Sequence, residues 1–369
     1  MMERYFSGVF TPEGYESELC AFARSAEIFT YILKGAPGTG KSTLIKALAA
    51  EFDDERTVLF CSPSEPQSAD GVLFADMSLF VADGSEPNFL EPHYRSVRQK
   101  VVSFDQFLDN YRLAESAEKI IAAAAEHRQL FSRCQSYVRA VSALYADTYV
   151  LADACVASEK LRAFGGRFLK KYKLPRHAER AGTLEFRRMS ALTPSGYLTL
   201  APEGYQTVLL SDRYYAASDR FLRALAEQLT RGGLDVIVSQ NALFPFPVCE
   251  HLLCPALGLA VLSANPMTEE HLPQVETKPV NMLRFYDEET LSARRRRLRL
   301  NENSCAYLLG EAASACADQQ SARRRMRRFY TPATDFDAVK EILSSLTAQM
   351  TFYRRLRNAA AEDLGDDQI

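Results

Sequence analysis

A glycine-rich loop between a strand-forming and a helix-forming segment constrains the fold of this chain more than any other feature. Residues 29–33 read FTYIL, a short β-rich run, and the loop GAPGTGKST follows from Gly35 to Thr43. Apolar residues then recur at helical spacing from Leu44 to Phe52. The loop fits the pattern G-x-x-x-x-G-K-S/T, and strand, loop and helix come in the order that a phosphate-binding loop requires.

Each residue type in this loop suits a bound phosphate chain. Glycines let backbone amides curl around phosphates through angles that a Cβ would penalise, and the helix start adds free amides and a positive dipole end. Lys41 is predicted to reach the β- and γ-phosphates, Ser42 to bind Mg²⁺, and Thr43 to contact the α-phosphate. The predicted ligand is ATP or a related nucleoside triphosphate with Mg²⁺. Its predicted contacts are Gly35, Ala36, Pro37, Gly38, Thr39, Gly40, Lys41, Ser42 and Thr43.

An acidic residue at the end of a predicted strand is expected to complete the metal site. Residues 77–82 form a nearly continuous apolar run, typical of a buried parallel strand, and Asp83 stands where the run stops. Strand-end carboxylates in such sheets point into the ligand crevice, so Asp83 is predicted as a Mg²⁺ ligand and catalytic residue. Asp70 and Asp76 are the alternatives, although both precede the run and are expected at its other end. Glu86 is a further catalytic candidate, close enough in sequence to activate water.

Matched segments recur in the same order in the two halves of the chain. Thr11-Pro-Glu-Gly-Tyr15 returns as Thr193-Pro-Ser-Gly-Tyr197, and the run from Met77 to Asp83 matches the run from Leu257 to Ser263. An ordered series of such pairs is the signature of an internal duplication, which we predict here.

The second copy lacks the phosphate loop. It reads DRYYAASDR from Asp212 to Arg220, so the glycines and the lysine are gone and carboxylates that would repel phosphate are added. The replacements are Asp212 for Gly35, Ala217 for Gly40, Ser218 for Lys41, Asp219 for Ser42 and Ser263 for Asp83. One working loop per chain is therefore predicted.

The predicted fold class is α/β, with a P-loop NTPase-type parallel sheet and flanking helices, internally duplicated. Residues 107–165 and about 288–328 are rich in helix formers and contain no proline, so each copy is expected to carry a helical appendage. The polar segment 171–182 contains Pro and Gly and predicts a boundary. The predicted domains are residues 1–175, with the working loop, and residues 183–369, with the degenerate one.

Composition excludes several classes of protein. The net charge is -3, so only a local patch could favour nucleic acid, which remains an open but less favoured partner. The chain opens without a signal-peptide pattern, and no stretch approaches the ~20 apolar residues that span a bilayer. Eight cysteines without a CxxC pair and five scattered histidines argue against zinc and favour buried reduced thiols. A cytoplasmic location is expected, with a protein partner or homo-oligomer left open.

Two arginine runs, 294–299 and 323–328, lie in predicted helices. Clustered arginines can bind phosphate backbones, but these runs lack the interleaved aromatics of single-strand binders, and solvated helix faces are the plainer interpretation. A third interpretation is a cation that reaches the γ-phosphate from the second copy. Arg95 and Arg98 are further candidates for that role within the first copy.

The loop, the preceding TPEGY and the segment FCSPSEPQSADGVLFADMSLFVADGSEPNFLEPHY together resemble a poorly characterised bacterial family of duplicated P-loop ATPase-like proteins. The similarity runs along the chain to the closing segment from Tyr330 to Phe336. Members are described loosely as ATPases or nucleotide kinases, so the resemblance implies nucleotide binding at the loop and a role for Asp83, but no substrate. Members often carry two intact loops, and a histidine where this chain has Asn88.

Three functions remain open from the sequence. The first is a slow or partner-stimulated Mg²⁺-dependent ATPase, the second a small-molecule or nucleotide kinase, and the third a nucleotide-binding module with little turnover. No N/T-K-x-D guanine-recognition motif and no LSGGQ-like element follows the loop. Asp83 is followed by Gly84 rather than glutamate, so the strand-end acid pair of hexameric ATPases is missing.

Overall fold

The computed structural model describes residues 2–53, 57–171, 180–265, 272 and 278–366. The strands in these ranges are β1 (Glu3–Phe6), β2 (Gly8–Phe10), β3 (Tyr15–Ser17), β4 (Phe29–Lys34), β5 (Thr57–Ser62), β6 (Glu65–Phe74), β7 (Leu79–Asp83), β8 (Gln99–Ser103), β9 (Leu184–Phe186), β10 (Ser190–Thr193), β11 (Gly196–Thr199), β12 (Gln206–Ser211), β13 (Val236–Gln240), β14 (Cys249–Cys254), β15 (Leu259–Ala264) and β16 (Val280–Asn281). The α-helices are α1 (Leu19–Ala23), α2 (Lys41–Glu51), α3 (Asn110–Ala114), α4 (Ala117–Asp153), α5 (Ser158–Leu169), α6 (Ala216–Arg231), α7 (Glu288–Tyr330) and α8 (Phe336–Asp366).

The chain forms two compact units that differ from the two halves of the sequence. Unit 1 comprises residues 1–7, 17–129 and 318–369, and unit 2 comprises residues 8–16 and 130–317. The predicted domains 1–175 and 183–369 are therefore each divided between the units, because the long helices α4 and α7 each pass from one unit into the other.

Unit 1 is built on a six-stranded sheet in the order β1-β5-β6-β7-β4-β8. Strand β6 runs antiparallel to β5 and β7, and the other neighbours are parallel. The sheet is thus mixed, whereas the sequence predicted a parallel one. The physical reason is the short connection between β5 and β6, which can join only antiparallel neighbours.

Alternating side chains of this sheet bury its two faces. Along β4, Tyr31 and Leu33 join a core with helices α2 and α8, to which Leu44 and Val339 contribute. The other face packs under α1, where the ring of Phe22 lies 5.2 Å from that of Phe60 and 5.3 Å from that of Phe80. Period-2 alternation therefore places helices on both faces of the sheet.

The sheet of unit 2 repeats the same arrangement, in the order β16-β12-β15-β14-β13-β9. Its parallel and antiparallel pairings match those of unit 1 strand by strand. Helix α6 connects β12 to β13, as α2 connects β4 to β5 in unit 1. The fold is α/β, and this correspondence is compatible with a duplicated domain.

The helical appendages are exchanged between the two sheets. Helix α5, from the first half of the sequence, packs on α6 in unit 2, and Val156 just before it bridges to Tyr286. Helix α8, from the second half, packs on α2 in unit 1, and Thr334 just before it bridges to Leu108. This reciprocal exchange explains why the compact units do not follow the sequence halves.

No helix in the described ranges is long and apolar enough to cross a membrane. All eight cysteines are free thiols, and all except Cys20 are buried.

Candidate functional site

The loop from Gly35 to Thr43, which we call the glycine loop, joins β4 to α2 in unit 1. Gly38 has φ +91°, a left-handed conformation that side chains disfavour, and a Cβ there would lie 2.5 Å from Thr331 Oγ1. A Cβ on Gly35 would lie 2.8 Å from Cβ of Phe104. Gly35 and Gly38 are therefore required by close packing as well as by backbone conformation.

Replacing Gly38 by alanine is expected to lower the free energy of unfolding by about 1–2 kcal/mol or more, because a left-handed backbone carries that cost for an L residue. The contact with Thr331 adds to this cost. Gly166, in α5, has open space around its Cβ position, so Gly166→Ala is expected to stabilise the chain by roughly 0.5–1 kcal/mol. Chemical denaturation of both variants checks these opposite signs, and a Gly38→Ala variant as stable as wild type would contradict the loop geometry.

Lys41 is a buried cation at the centre of the glycine loop. Its side chain is 5 % exposed, and its Nζ donates hydrogen bonds to the carbonyls of Gly35 at 2.6 Å and Ala36 at 2.9 Å. Nζ also lies 3.7 Å from Oδ2 of Asp83. Burial lowers the pKa of the ammonium, and the charge of Asp83 opposes that effect. A buried ammonium that contacts two carbonyls and one carboxylate is well placed to accept an anionic ligand.

Backbone donors of the same loop are left open. Within the described part of the chain, the N–H groups of Gly38 and Gly40 have no hydrogen-bond partner. Gly40 is also the residue that caps the start of α2, in a left-handed conformation. Unsatisfied amides at a helix start form an anion-binding arrangement.

Ser42 and Thr43, on the first turn of α2, lie in different surroundings. The Ser42 hydroxyl oxygen accepts hydrogen bonds from Ser68 Oγ at 2.8 Å and from the N–H of Ala69 at 3.0 Å. Thr43 is exposed. Ser42 is therefore oriented towards β6 and the neighbouring acidic residues, whereas Thr43 faces outwards.

Asp83 ends β7 beside the loop, at the carboxyl edge that the sequence predicted. Strand β7 pairs with β4 in parallel, with Asp83 opposite Leu33. Its Oδ1 accepts the N–H of Ser85 at 2.9 Å, and the Ser85 hydroxyl in turn bonds the carbonyl of Gly35 at 3.0 Å. Ser85 therefore connects the strand-end carboxylate to the loop, a role that the sequence analysis did not assign.

Asp70 also lies at this edge, contrary to the sequence prediction. Because β6 runs antiparallel to β7, Asp70 comes one residue beyond the Gly71–Ala82 pair and thus beside Asp83. It is 5 % exposed and accepts a hydrogen bond from Ser7 Oγ at 2.7 Å. Burial and the charge of Asp83 raise the pKa of the Asp70 carboxyl. The site therefore combines two buried carboxyl groups, Asp70 and Asp83, side by side.

A third carboxylate, Asp105, follows β8 and touches the loop directly. Its Oδ1 accepts the N–H of Ala36 at 3.1 Å. The parallel pairing of β8 with β4, which ends at Ser103 opposite Lys34, brings Asp105 to the same edge. Asp105 was not predicted from the sequence; it comes two residues after β8, whereas Asp83 is the last residue of β7.

Other predicted residues lie outside this arrangement. Glu86 is exposed, and no hydrogen bond joins it to the loop among the residues described. Arg95 and Arg98 precede β8, whose first residue, Gln99, pairs with Thr30 near the start of β4. The glycine loop follows the opposite end of β4, roughly 15 Å away at about 3.3 Å per residue. Among the described residues no contact joins either arginine to the glycine loop, and their role stays a prediction.

The positions of unit 2 that match this site by sheet order carry different residues. The N–H of Cys249 donates to Oδ1 of Asp219 at 2.6 Å, as the N–H of Ala69 donates to Ser42 in unit 1. Ser218 Oγ lies 3.4 Å from Ser263 Oγ, in the positions of Lys41 and Asp83. Two hydroxyls therefore replace the cation and the strand-end carboxylate, as the sequence predicted.

The amides of this second loop are already bound by a carboxylate of the chain itself. Asp212, fully buried, accepts the N–H groups of Tyr214 at 3.1 Å and Ser218 at 2.7 Å. Its carboxylate also accepts the hydroxyl of Tyr286 at 2.9 Å. Asp212 thus occupies two of the amide donors that a phosphate would need.

The residues of unit 1 fit a metal held jointly with a nucleotide. Among the described residues, no group of three or more His, Cys, Asp or Glu side chains forms a metal cluster. Mg²⁺ is commonly bound through one or two protein oxygens together with phosphate oxygens, and Ser42 and Asp83 are of that kind. The glycine loop presents its open amides and the buried Lys41 ammonium beside these two oxygens.

Comparison with known proteins identifies no relative: no protein-family model, no curated protein and no solved structure matches this chain.

Proposed function

We propose that this protein binds ATP with Mg²⁺ on the glycine loop of unit 1 and hydrolyses it, with one working site per chain. The observation that carries the proposal is the buried Lys41 ammonium, set between open loop amides and 3.7 Å from the carboxylate of Asp83. A buried cation with a single ion-pair partner, 3.7 Å away, can take a further anion as its ligand, and amides at a helix start favour phosphate in particular.

The roles of the residues follow from their contacts. The amides of the loop and the start of α2 would hold the β- and γ-phosphates, and Lys41 would exchange the carbonyls of Gly35 and Ala36 for phosphate oxygens. Ser42 and Asp83 would hold Mg²⁺, which neutralises charge on the phosphate chain when bound. Asp83 also holds Ser85 through its N–H, so the carboxylate keeps its orientation beside the loop.

Nucleotide is expected to bind to unit 1 and not to unit 2. In unit 2, Asp212 fills the equivalent amides and Ser218 stands in place of the lysine. A triphosphate there would meet a buried carboxylate and no loop cation. We therefore expect a stoichiometry of one nucleotide per chain.

Replacing Lys41 by methionine is expected to weaken Mg·ATP binding by about 100-fold, since losing one charge-assisted partner of a phosphate corresponds to about 1.5–3 kcal/mol. Methionine keeps the length and the burial of the side chain but removes its charge. Lys46, exposed on the same helix, provides the matched control Lys46→Met, which is expected to bind like wild type.

Isothermal titration calorimetry, with ADP release followed in the same samples, tests both parts of the proposal. Saturation at one nucleotide per chain with slow ADP release would support it. Two nucleotides per chain would contradict the account of unit 2. Absence of binding, or equal binding by the Lys41 variant, would refute the proposal, and tight binding without turnover would replace hydrolysis by a binding role.

A further inference from the structure

The end of α7 lies against the glycine loop within unit 1. The hydroxyl of Thr331, just after α7, donates to the carbonyl of Gly38 at 3.2 Å. A Cβ on Gly38 would lie 3.3 Å from Cβ and 3.2 Å from Cγ of Arg327. The second arginine run of the sequence, residues 323–328, is therefore placed at the loop by direct contact.

One N–H donor group of the Arg327 guanidinium pairs with a carboxylate, and a second has no hydrogen-bond partner among the described residues. Its Nη2 lies 2.7 Å from Oε2 of Glu65, at the start of β6. Burial opposes ionisation of Glu65, but the hydrogen bond and charge of Arg327, with other arginine charges, hold its pKa below the usual value. The Nε–H of Arg327 is buried without a hydrogen-bond partner among the described residues. A buried open donor of a charged group costs free energy unless a ligand satisfies it.

Arg323 lies one turn earlier on the same face of α7, at the i, i+4 spacing from Arg327. Its Nη1 lies 3.4 Å from Ser64 Oγ, and within the described ranges it forms no ion pair. Its charge lowers the pKa of Lys41 and opposes the raised pKa of Asp70. The guanidinium therefore belongs to the electrostatic surroundings of the lysine that marks the phosphate site.

Placing the Arg323 guanidinium near the Lys41 ammonium costs electrostatic free energy in the unliganded protein, and a bound anion would offset that cost. Two cations, Arg323 and Lys41, repel each other in a partly buried site. A nucleoside triphosphate brings several negative charges between them, and guanidinium groups bind phosphate oxygens in a bidentate manner. In the first arginine run, by contrast, Arg297 pairs with Asp147 and Arg294 bonds the carbonyl of Leu151.

We propose that Arg323 contacts the γ-phosphate of the bound nucleotide and stabilises the charge that develops on it during hydrolysis, with Arg327 as a positioning residue beside it. This inference rests on the proposed function of unit 1. In the reaction, a water oxygen bonds to the γ-phosphorus while the bond from that phosphorus to the bridging oxygen breaks. ADP leaves with the electron pair, and the water proton passes to the phosphate product or to solvent. Arg323 transfers neither protons nor electrons.

The test compares Arg323→Ala with the control Arg328→Ala, an exposed residue of the same run. Turnover of Mg·ATP is measured together with calorimetric affinities for Mg·ADP and for the non-hydrolysable analogue AMP-PNP. Arg323→Ala is expected to lower kcat by about 10³-fold, the lower limit for arginines that act on a γ-phosphoryl group. It is expected to weaken AMP-PNP by about tenfold and to leave ADP unchanged. Arg323→Lys should recover part of kcat, because it restores charge without the bidentate geometry.

The readouts separate this inference from the proposed function. Unchanged kcat and an unchanged ratio of ADP to AMP-PNP affinity in Arg323→Ala would overturn the inference, while the Lys41→Met result would still support the nucleotide site. Equal loss of ADP and AMP-PNP affinity would overturn it too, because Arg323 would then support the loop rather than the γ-phosphate. A wild-type chain that binds no nucleotide would overturn both.

Discussion

Replacing Asp83 by asparagine is expected to lower the turnover of Mg·ATP by about 10³-fold while the affinity for ATP is kept. A 10³-fold loss corresponds to ~4 kcal/mol of transition-state stabilisation, the size expected when the metal that neutralises charge on the phosphate loses a protein ligand. The amide side chain would keep the size of the carboxylate and still accept the N–H of Ser85. Affinity is expected to hold because Lys41 loses its competing carboxylate, 3.7 Å away, and remains free for phosphate.

Two further carboxyl groups serve as comparisons for this prediction. Asp70, beside Asp83, has a pKa raised by burial and by the charge of Asp83, and Ser7 already holds one of its oxygens, so Asp70→Asn is expected to change turnover less than Asp83→Asn. Asp76 lies in the 3₁₀ turn before β7, at the opposite end of that strand, so Asp76→Asn is the matched control. Loss of turnover in Asp70→Asn with full turnover in Asp83→Asn would transfer the metal-binding role to Asp70.

The residues of the site were predictable where the signal is local in sequence. The glycine loop, Lys41 and Ser42 follow from one contiguous motif between β4 and α2, and no long-range contact is needed to find them. Asp83 was predictable because apolar residues of β7 lead directly to it. Function stays a proposal for all of these residues.

The positions of Asp70 and Asp105 beside the loop could not be predicted from the local sequence. The segment from Glu65 to Phe74 was not predicted as a strand, because its first half is polar and contains proline. Its hairpin with β5 reverses its direction and brings Asp70 to the loop. Asp105 reaches Ala36 only because β8 lies on the far side of β4. Strand order is a long-range property that the residues of one strand do not encode.

The exchange of α5 and α8 between the two sheets could not be predicted from the sequence either. Each helix has an apolar face, but such a face does not specify which of two similar sheets it covers. Because the copies share their topology, the sequence favoured the nearer sheet, and the structure places each helix on the other. The same exchange brings Arg323 and Arg327 from the second half of the sequence to the loop of the first. The sequence could therefore suggest that an arginine reaches the γ-phosphate, but it could not indicate which arginines lie beside the loop.

The second large prediction concerns Glu250, the residue of unit 2 that matches Asp70 by strand register. It is 2 % exposed and accepts hydrogen bonds from Tyr197 Oη at 3.2 Å and Asn241 Nδ2 at 2.9 Å. Burial nevertheless raises its pKa to about 7. The neighbouring His251 stays neutral near neutral pH, because burial lowers its pKa to about 3, so it forms no ion pair with Glu250.

The sign of the pH effect follows from linkage. A carboxyl with a folded-state pKa above its unfolded value binds a proton more tightly in the folded protein, so it contributes stability at low pH. That contribution is complete below the unfolded pKa of 4.5 and is lost as the pH rises through about 7. A shift of this size corresponds to roughly 3 kcal/mol, of which about 2–3 kcal/mol falls between pH 5 and pH 8.

Glu250→Gln mimics the neutral carboxyl and removes this titration. The free energy of unfolding of the variant, relative to wild type, is therefore expected to be about 2–3 kcal/mol higher at pH 8 than at pH 5. Urea denaturation followed by circular dichroism at the two pH values measures this difference. Any pH-independent effect of the amide on the free energy of unfolding cancels in the comparison. Glu203→Gln, at an exposed position, should show no such difference. A pH-independent offset in Glu250→Gln would mean that Glu250 ionises equally in the folded and unfolded chain, and that its neighbouring hydrogen-bond donors offset the burial in full.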